Sequence, residues 1–283
     1  MLGASTYLCI ILLAISASAQ TPTCDALSPG ERRADARLLP SEHLYDCCDD
    51  TIYRGLQPQP TCGLARRLAD NVCRRVAVGQ DEIRSRRALS RRARCMVGGG
   101  KTVEIDLETA PILGPGDASV TVVVYACARC PYCSQLIPEL YDVMTEGSLH
   151  NQVRLAFRVF PIRGHEGSTT AGLGFVAATD FGVFWPFMLH AYRDFDAYSP
   201  ERQVDWAVTV GLESEVFESR IADPATREAL VASKKEGLVN GVEETPTIFI
   251  NGRRWVGDLD TAEVVDAIEE EVARVRGEKW LTD

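Results

Sequence analysis

Cys130-Pro131-Tyr132-Cys133 places two thiols two residues apart, a spacing open to a redox dithiol, a structural disulfide or half of a tetrahedral zinc site. The flanking sequence favours the first. Val122, Val123, Val124 and Tyr125 form an apolar, β-branched run that reads as a strand. A short loop follows it, and from Pro131 the spacing is helical. A cysteine at a helix N-terminus faces unpaired backbone N–H groups and the positive end of the dipole, and both stabilise a thiolate. Proline suits the first helical position. Cys133, three residues on, returns beneath Cys130 after one turn, so the pair can close a disulfide. Cys130 is therefore the candidate nucleophile and Cys133 the candidate resolving thiol.

A third cysteine, Cys127, precedes the pair by three residues. Three roles stand open for it: a third redox thiol, a structural partner for the leading part of the chain, or a spectator. The spacing of Cys127, Cys130 and Cys133 also touches on iron–sulfur ligation, which the strand leading in and the helix leading out disfavour. His150, His165 and His190 share no ligand spacing, and no metal site is expected. Trp185, Trp206, Phe184 and Phe187 sit at helical apolar positions and read as core.

The elements that must hold these residues lie in a chain of 283 residues, 46% hydrophobic, with net charge −10 and ten cysteines. That length supports a real core. The run Leu8 to Ile15 followed by Ala17-Ser18-Ala19 has the form of a signal peptide ending before Gln20, although no Lys or Arg precedes it. It is too short to span a membrane. Six cysteines, Cys24, Cys47, Cys48, Cys62, Cys73 and Cys95, crowd the leading segment, which suits an oxidising compartment. The expected location is periplasmic or secreted. Residues 31–100 carry fourteen Arg against nine acids. These alternate at helical spacing without aromatic partners, so a solvated helix surface is expected rather than nucleic-acid binding.

Thr21 to Leu39 reads as polar and irregular. Three helices are then expected: from about His43 to Leu56, from Thr61 to the Gly79 break with Leu64, Leu68, Val72 and Val76 inward, and from Asp81 to Met96. Cys62 and Cys73, eleven apart on one helix, lie about 16 Å apart and cannot bond. Cys47, Cys48 and Cys95 are their candidate partners. Gly98-Gly99-Gly100-Lys101-Thr102 lacks the glycine and the preceding strand of a phosphate loop and reads as a linker. Thr102 to Leu107 alternates as a short strand, and Val153 to Phe160 as a strand parallel to the central one after a helical crossover. Helical patterns follow at 169–179, 184–192, 200–210 and 213–238, the last broken by Pro224. Asn251-Gly252 turns a hairpin opened by Pro246. A final helix from Asp260 to Val275 should turn Val264, Val265, Ile268, Val272 and Val275 inward.

With strand, Cys130-Pro131-Tyr132-Cys133, helix, helical insertion, Thr245-Pro246 and the Asn251-Gly252 hairpin in this order, residues from about 102 onward resemble the DsbA-like branch of the thioredoxin superfamily. The resemblance implies an α/β fold, thioredoxin-like with a helical insertion, preceded by a small disulfide-rich helical module. The corresponding boundaries are 1–19 for the signal, 20–97 for the module, 98–119 for linker and first strand, and 120–283 for the thioredoxin domain, with the insertion at about 165–239. It implies a thiol:disulfide oxidoreductase acting on protein thiols and disulfides, with a redox recycling partner and no cofactor. Cys130 would be the exposed nucleophile and Cys133 the resolver. Pro131, Tyr132, Thr245 and a cis Pro246 would form the substrate platform. Glutaredoxins share the CPYC tetrapeptide but lack such an insertion. The rival reading is a disulfide-rich structural or metal-binding interaction protein without catalysis.

Two departures bear on chemistry. Many relatives carry a buried acid six positions before the first cysteine, where this chain has Val124, so Glu139 or water would take the proton of the resolving thiol. Strong oxidants of the branch often carry His inside the CxxC, where this chain has Tyr132, and a weaker oxidant is expected. In the leading segment, Cys47-Cys48-Asp49-Asp50-Thr51-Ile52 with the helices after it resembles the three-helix domain of CcmH-type cytochrome c maturation proteins. Those carry CxxC where this chain has adjacent cysteines, so topology and not activity is carried over.

Overall fold

The structure, a computed structural model, describes residues 21–46, 48–57, 62–97 and 100–277. The expected signal peptide, Cys47, and the first two glycines of the linker lie outside them. The chain divides into two compact units between Ser85 and Arg86.

In the first unit α1 (Pro22–Asp25) and α2 (Pro29–Leu38) both start with proline behind a cap, Thr21 or Ser28. Ser28 and Glu31 exchange side-chain and backbone hydrogen bonds as a capping box. Thr21 to Leu39 is therefore largely helical, not irregular as its polarity suggested: two capped starts and the buried Cys24, Leu27, Leu38 and Leu39 outweigh composition. The helix expected from His43 begins only at α3 (Ile52–Gly55). Before it the chain loops back, with Leu44 N–H donating to the Asp50 carbonyl and His43 bridging Thr51. Acidic residues and Thr51 favour that turn and cap. α4 (Gly63–Ala77) buries Leu64, Leu68, Val72 and Val76 as expected, and Gly79 follows at φ 75°. α5 (Glu82–Met96) crosses the division between units.

Cys73 on α4 bonds to Cys24, not to Cys47, Cys48 or Cys95. This bridge, 49 residues apart in sequence, ties the first helices to α4 and contributes about 4 kcal/mol in the chain-entropy picture. Cys62, just before α4, is also disulfide-bonded, whereas Cys48 and Cys95 remain thiols.

The second unit is built on a five-stranded sheet of order β1-β3-β2-β4-β5. The strands are β1 (Ile112–Leu113), β2 (Val120–Ala126), β3 (Val153–Val159), β4 (Thr247–Ile250) and β5 (Arg253–Arg254). β2 and β3 run parallel, Val120 beside Val153 through Ala126 beside Val159, joined over α6 (Pro131–Thr145). β4 lies antiparallel to β2 on its other side, and β5 folds back through Asn251 (φ 47°) and Gly252 (φ 75°), the positive-φ pair that a tight two-residue hairpin requires. The insertion holds α7 (Ser168–Asp180), α8 (Phe184–Arg193), α9 (Pro200–Thr209), α10 (Ser214–Ala222) and α11 (Pro224–Val239), close to the sequence expectation. α12 (Thr261–Val275) closes the unit.

One sheet face gathers Val123, Tyr125, Ala156, Phe160 and Phe249. On the other, Phe157 meets Phe175 and Phe184 at 5.8 and 4.7 Å between ring centroids. Phe184, Phe187 and Trp206 are core, and Trp185 packs on Tyr141 and Phe184.

Two expectations need correction. Thr102 to Leu107 is not a strand: Thr102 bridges Arg253 and Val103 N–H donates to the Gly252 carbonyl, after which the ladder stops. Its alternation instead turns Val103, Ile105 and Leu107 onto the Tyr125–Phe160 cluster. On α12, Val265 is only half-buried and Val275 exposed, while Glu263, Asp266, Glu270 and Glu271 are buried. Arg92, 0% exposed, reaches Asp266 and Glu270 at 2.6 Å each, and Arg253 and Arg274 pair with Glu271. Arg92 and Arg253, far away in sequence, and Arg274 on the helix itself thus neutralise Asp266, Glu270 and Glu271 and make their burial possible.

Candidate active site

β2 ends at Ala126, and the loop Cys127-Ala128-Arg129 delivers Cys130 to the N-cap of α6 with Pro131 first in the helix. Cys130 has extended backbone angles, and its sulfur faces the first helical turn. The Thr245–Pro246 peptide is cis, and the Cys130 thiol donates to the Thr245 carbonyl at 3.1 Å. Thr245 Oγ1 is buried beside the same sulfur and makes no other hydrogen bond among the described residues, so its hydroxyl is left to donate to Cys130 when that sulfur is a thiolate. Pro131 and Tyr132, the latter 69% exposed, stand at the surface. Cys130 itself is 1% exposed and not the open nucleophile expected, because the loop bearing Thr245 covers its sulfur.

The two thiols of the pair are driven apart in acidity. Cys130 is lowered to about 5, chiefly by the hydrogen bond from Cys133, with Thr245 and the backbone N–H groups of Cys133 and Tyr132 adding to it against the opposing effect of burial. Cys133, fully buried, is raised well above the ordinary thiol value by desolvation and then by its neighbour Cys130. At neutral pH the upper sulfur is a thiolate and the lower a thiol, the charge arrangement a nucleophile and its resolving partner need.

Val124 at the position of the missing acid is buried in the sheet. Glu139 does not replace it: six residues beyond Cys133 on the helix, it points away, is exposed, and accepts from the Thr261 hydroxyl. Cys127 is neither bonded to the leading segment nor exposed; it is a buried thiol.

Four residues near the site carried no sequence signal of their own. Arg129 lies over the rings of Phe195 and Tyr198, at 4.4 and 4.6 Å, and donates to the Phe195 carbonyl. Tyr192, buried, donates to the Cys127 carbonyl at 3.2 Å. His165 places Nδ1 3.4 Å from the Cys127 sulfur. Lys234 sets its ammonium 3.3 Å from the Phe160 ring centroid. The parallel pairing of β2 with β3 could have located His165, since it brings the loops after both strands to one sheet edge. Elsewhere, Cys24, Asp35 and Cys73 are the one group of three potential metal ligands among the described residues, and two of those sulfurs are bonded to each other.

The strand, dithiol, helix and facing cis proline are the parts by which a thioredoxin is known, and residues 106–270 match the thioredoxin family. The chain belongs to that family. Its fold is DsbA-like. Among solved structures, BdbD from Bacillus subtilis in its oxidised form superposes with a TM-score of 0.54 at 20% identity, covering 60% of this chain and 97% of that one. The α-DsbA1 of Wolbachia pipientis gives 0.54 at 16% identity, over 62% and 96%. A thioredoxin-like oxidoreductase from Silicibacter pomeroyi DSS-3 gives 0.50 at 25% identity, over 60% and 94%. Curated relatives include the Na(+)/H(+) antiporters NhaA 3 of Salinispora tropica, 28% identical over 68% of this chain, and NhaA of Herminiimonas arsenicoxydans, 28% identical over 58%. This thioredoxin-family chain spans 30% and 26% of their lengths. Among the described residues no helix is long and apolar enough to cross a membrane.

Proposed function

We propose that this chain is an exported thiol:disulfide oxidoreductase that exchanges disulfides with protein substrates through Cys130 and Cys133. The observation that supports this most is the split between the two sulfurs: Cys130, at a helix N-terminus and against Thr245, is acidic, and Cys133 directly beneath it is not. Cys130 attacks a substrate disulfide to give a mixed disulfide. Cys133 then displaces the substrate thiol and closes the enzyme disulfide; the reverse sequence oxidises a substrate dithiol. A substrate segment in extended form would lie between Tyr132 and the Thr245-Pro246 loop, pairing with backbone that the proline leaves open. A redox partner would return the dithiol to its working state. The cysteine-rich leading segment, with its Cys24–Cys73 bridge, suits an oxidising location outside the cytosol.

Reduction of insulin, and oxidation of a reduced dithiol peptide, by wild type and Cys130→Ser test the reading. Loss of both activities in the variant is expected. Equal activities, or stoichiometric zinc in the purified protein, would favour a structural or metal-binding role instead.

A further inference from the structure

Cys127 makes a second two-residue-spaced pair with Cys130, through Ala128 and Arg129. The Cys130 N–H donates to the Cys127 carbonyl at 3.1 Å, closing a turn between residues i and i+3. Such a turn holds its end Cα atoms within about 7 Å, and disulfides span Cα separations of roughly 4.4–6.8 Å. The Cys127 sulfur also lies 3.4 Å from His165 Nδ1, which accepts its proton when the imidazole carries its hydrogen on Nε2, and it accepts from the Arg129 N–H at 3.4 Å. Burial, the largest effect, and the negative charge of Cys130 hold the Cys127 thiol above its ordinary range; the Ile162 N–H, the Arg129 N–H and the Ser168 hydroxyl favour the ionised form but do not offset them. Lys234 is close enough to couple to the sulfur electrostatically. Tyr192, held by the Cys127 carbonyl, feels all three sulfurs.

We propose that Cys127 is a second resolving thiol for Cys130, with His165 as its base. The proposal rests on Cys130 being the nucleophile. When a substrate sulfur is bonded to Cys130, the charge that opposes Cys127 is gone. Cys127 gives its proton to His165 Nδ1 and its sulfur attacks Cys130 Sγ. A Cys127–Cys130 bond forms as the bond from Cys130 to the substrate sulfur breaks. The electron pair leaves on the substrate thiolate, which takes the proton from the imidazolium. The substrate disulfide is reduced by two electrons and the two enzyme thiols are oxidised. Cys130 can thus be discharged from the helix side by Cys133 or from the loop side by Cys127.

The test uses the full chain carrying Cys133→Ser, reduced and then mixed with oxidised glutathione, with acid quenching, alkylation and peptide mapping over time. Glutathione should appear on Cys130 and then leave as a Cys127–Cys130 disulfide accumulates. The double variant Cys127→Ser/Cys133→Ser should keep its glutathione. Adding His165→Gln to Cys133→Ser should slow the release roughly 100-fold near pH 7, the usual contribution of a general base, with the deficit shrinking as pH rises. Cys133→Ala carries the same expectations should Cys133→Ser not fold. Glutathione held on Cys130 as long in the single variant as in the double one, or release indifferent to His165→Gln, overturns the proposal while leaving Cys130 as nucleophile. Failure of Cys130 to take up glutathione in any variant overturns the nucleophile assignment and this proposal with it.

Discussion

The sulfur of Cys130 lies 3.1 Å from the carbonyl oxygen of Thr245, 115 residues further along the chain. The thiol form alone can donate there; the thiolate must draw its donors from the Cys133 thiol first, then from the Thr245 hydroxyl and the helix N–H groups. Thr245→Val keeps the shape and removes the hydroxyl. A hydrogen bond to a charged group is worth about 1.5–3 kcal/mol, so the Cys130 pKa should rise by roughly one unit or more. The pH profile of iodoacetamide alkylation reads it directly, with wild type titrating near 5. Superimposable profiles would remove Thr245 from the thiolate's support.

The same acidity ties stability to pH in the reduced protein. The folded value of Cys130 is lowered to about 5 from an ordinary 9.0. Its contribution is therefore present above the unfolded value and is lost as pH falls from 9 through 5. At pH 7 it amounts to at most about 3 kcal/mol. Urea midpoints of reduced wild type and reduced Cys130→Ser should diverge toward pH 8 and converge below pH 5. Once the disulfide has formed there is no thiolate to stabilise, so in the oxidised wild type this pH dependence should vanish.

Arg92 is fully buried between Asp266 and Glu270 at 2.6 Å each. Removing the cation leaves two buried carboxylates without their guanidinium, a change that costs about 3–5 kcal/mol. Arg92→Met should lower stability by that order in urea denaturation. Arg92→Met with Asp266→Asn and Glu270→Gln should recover much of the loss, because no charge of this trio is then left buried. If the triple variant is no more stable than the single one, packing around the guanidinium rather than charge holds α12 in place.

What could be read in advance follows from how local each signal is. The dithiol at a helix start, the insertion helices and the Asn251-Gly252 turn are each written within a few consecutive residues. On α12 Val264, Ile268 and Val272 face inward as their spacing predicts, but the acids buried beside them answer to Arg92 and Arg253, which no periodicity on the helix reveals. Thr102 to Leu107 alternated correctly, yet alternation reports which side is buried and not whether a hydrogen-bonded neighbour exists. Likewise His165 shares no spacing with the other histidines, and its partner Cys127 comes from an adjacent loop joined through the sheet.

In the first unit, Asp35 places Oδ1 3.4 Å from the sulfur of Cys73, which is already bonded to Cys24. A disulfide sulfur has no proton to give, so the carboxyl can hold this contact only as the donor, in its neutral form. Burial favours that form and raises the group from 3.8 to about 6 against the pull of Arg32. A raised acid contributes stability that is fully present below the unfolded value and is lost as pH rises through the folded one, here between about 4 and 6. Asp35→Asn offers an N–H to the same sulfur at every pH. The variant should match wild type at pH 4 and exceed it at pH 7.5 by about 1 kcal/mol, the shift being discounted for the half-exposed position. Urea denaturation of the full chain at the two pH values decides this. A variant weaker than wild type at pH 7.5 would mean that the ionised carboxylate has a stabilising partner, and that the sulfur contact is incidental.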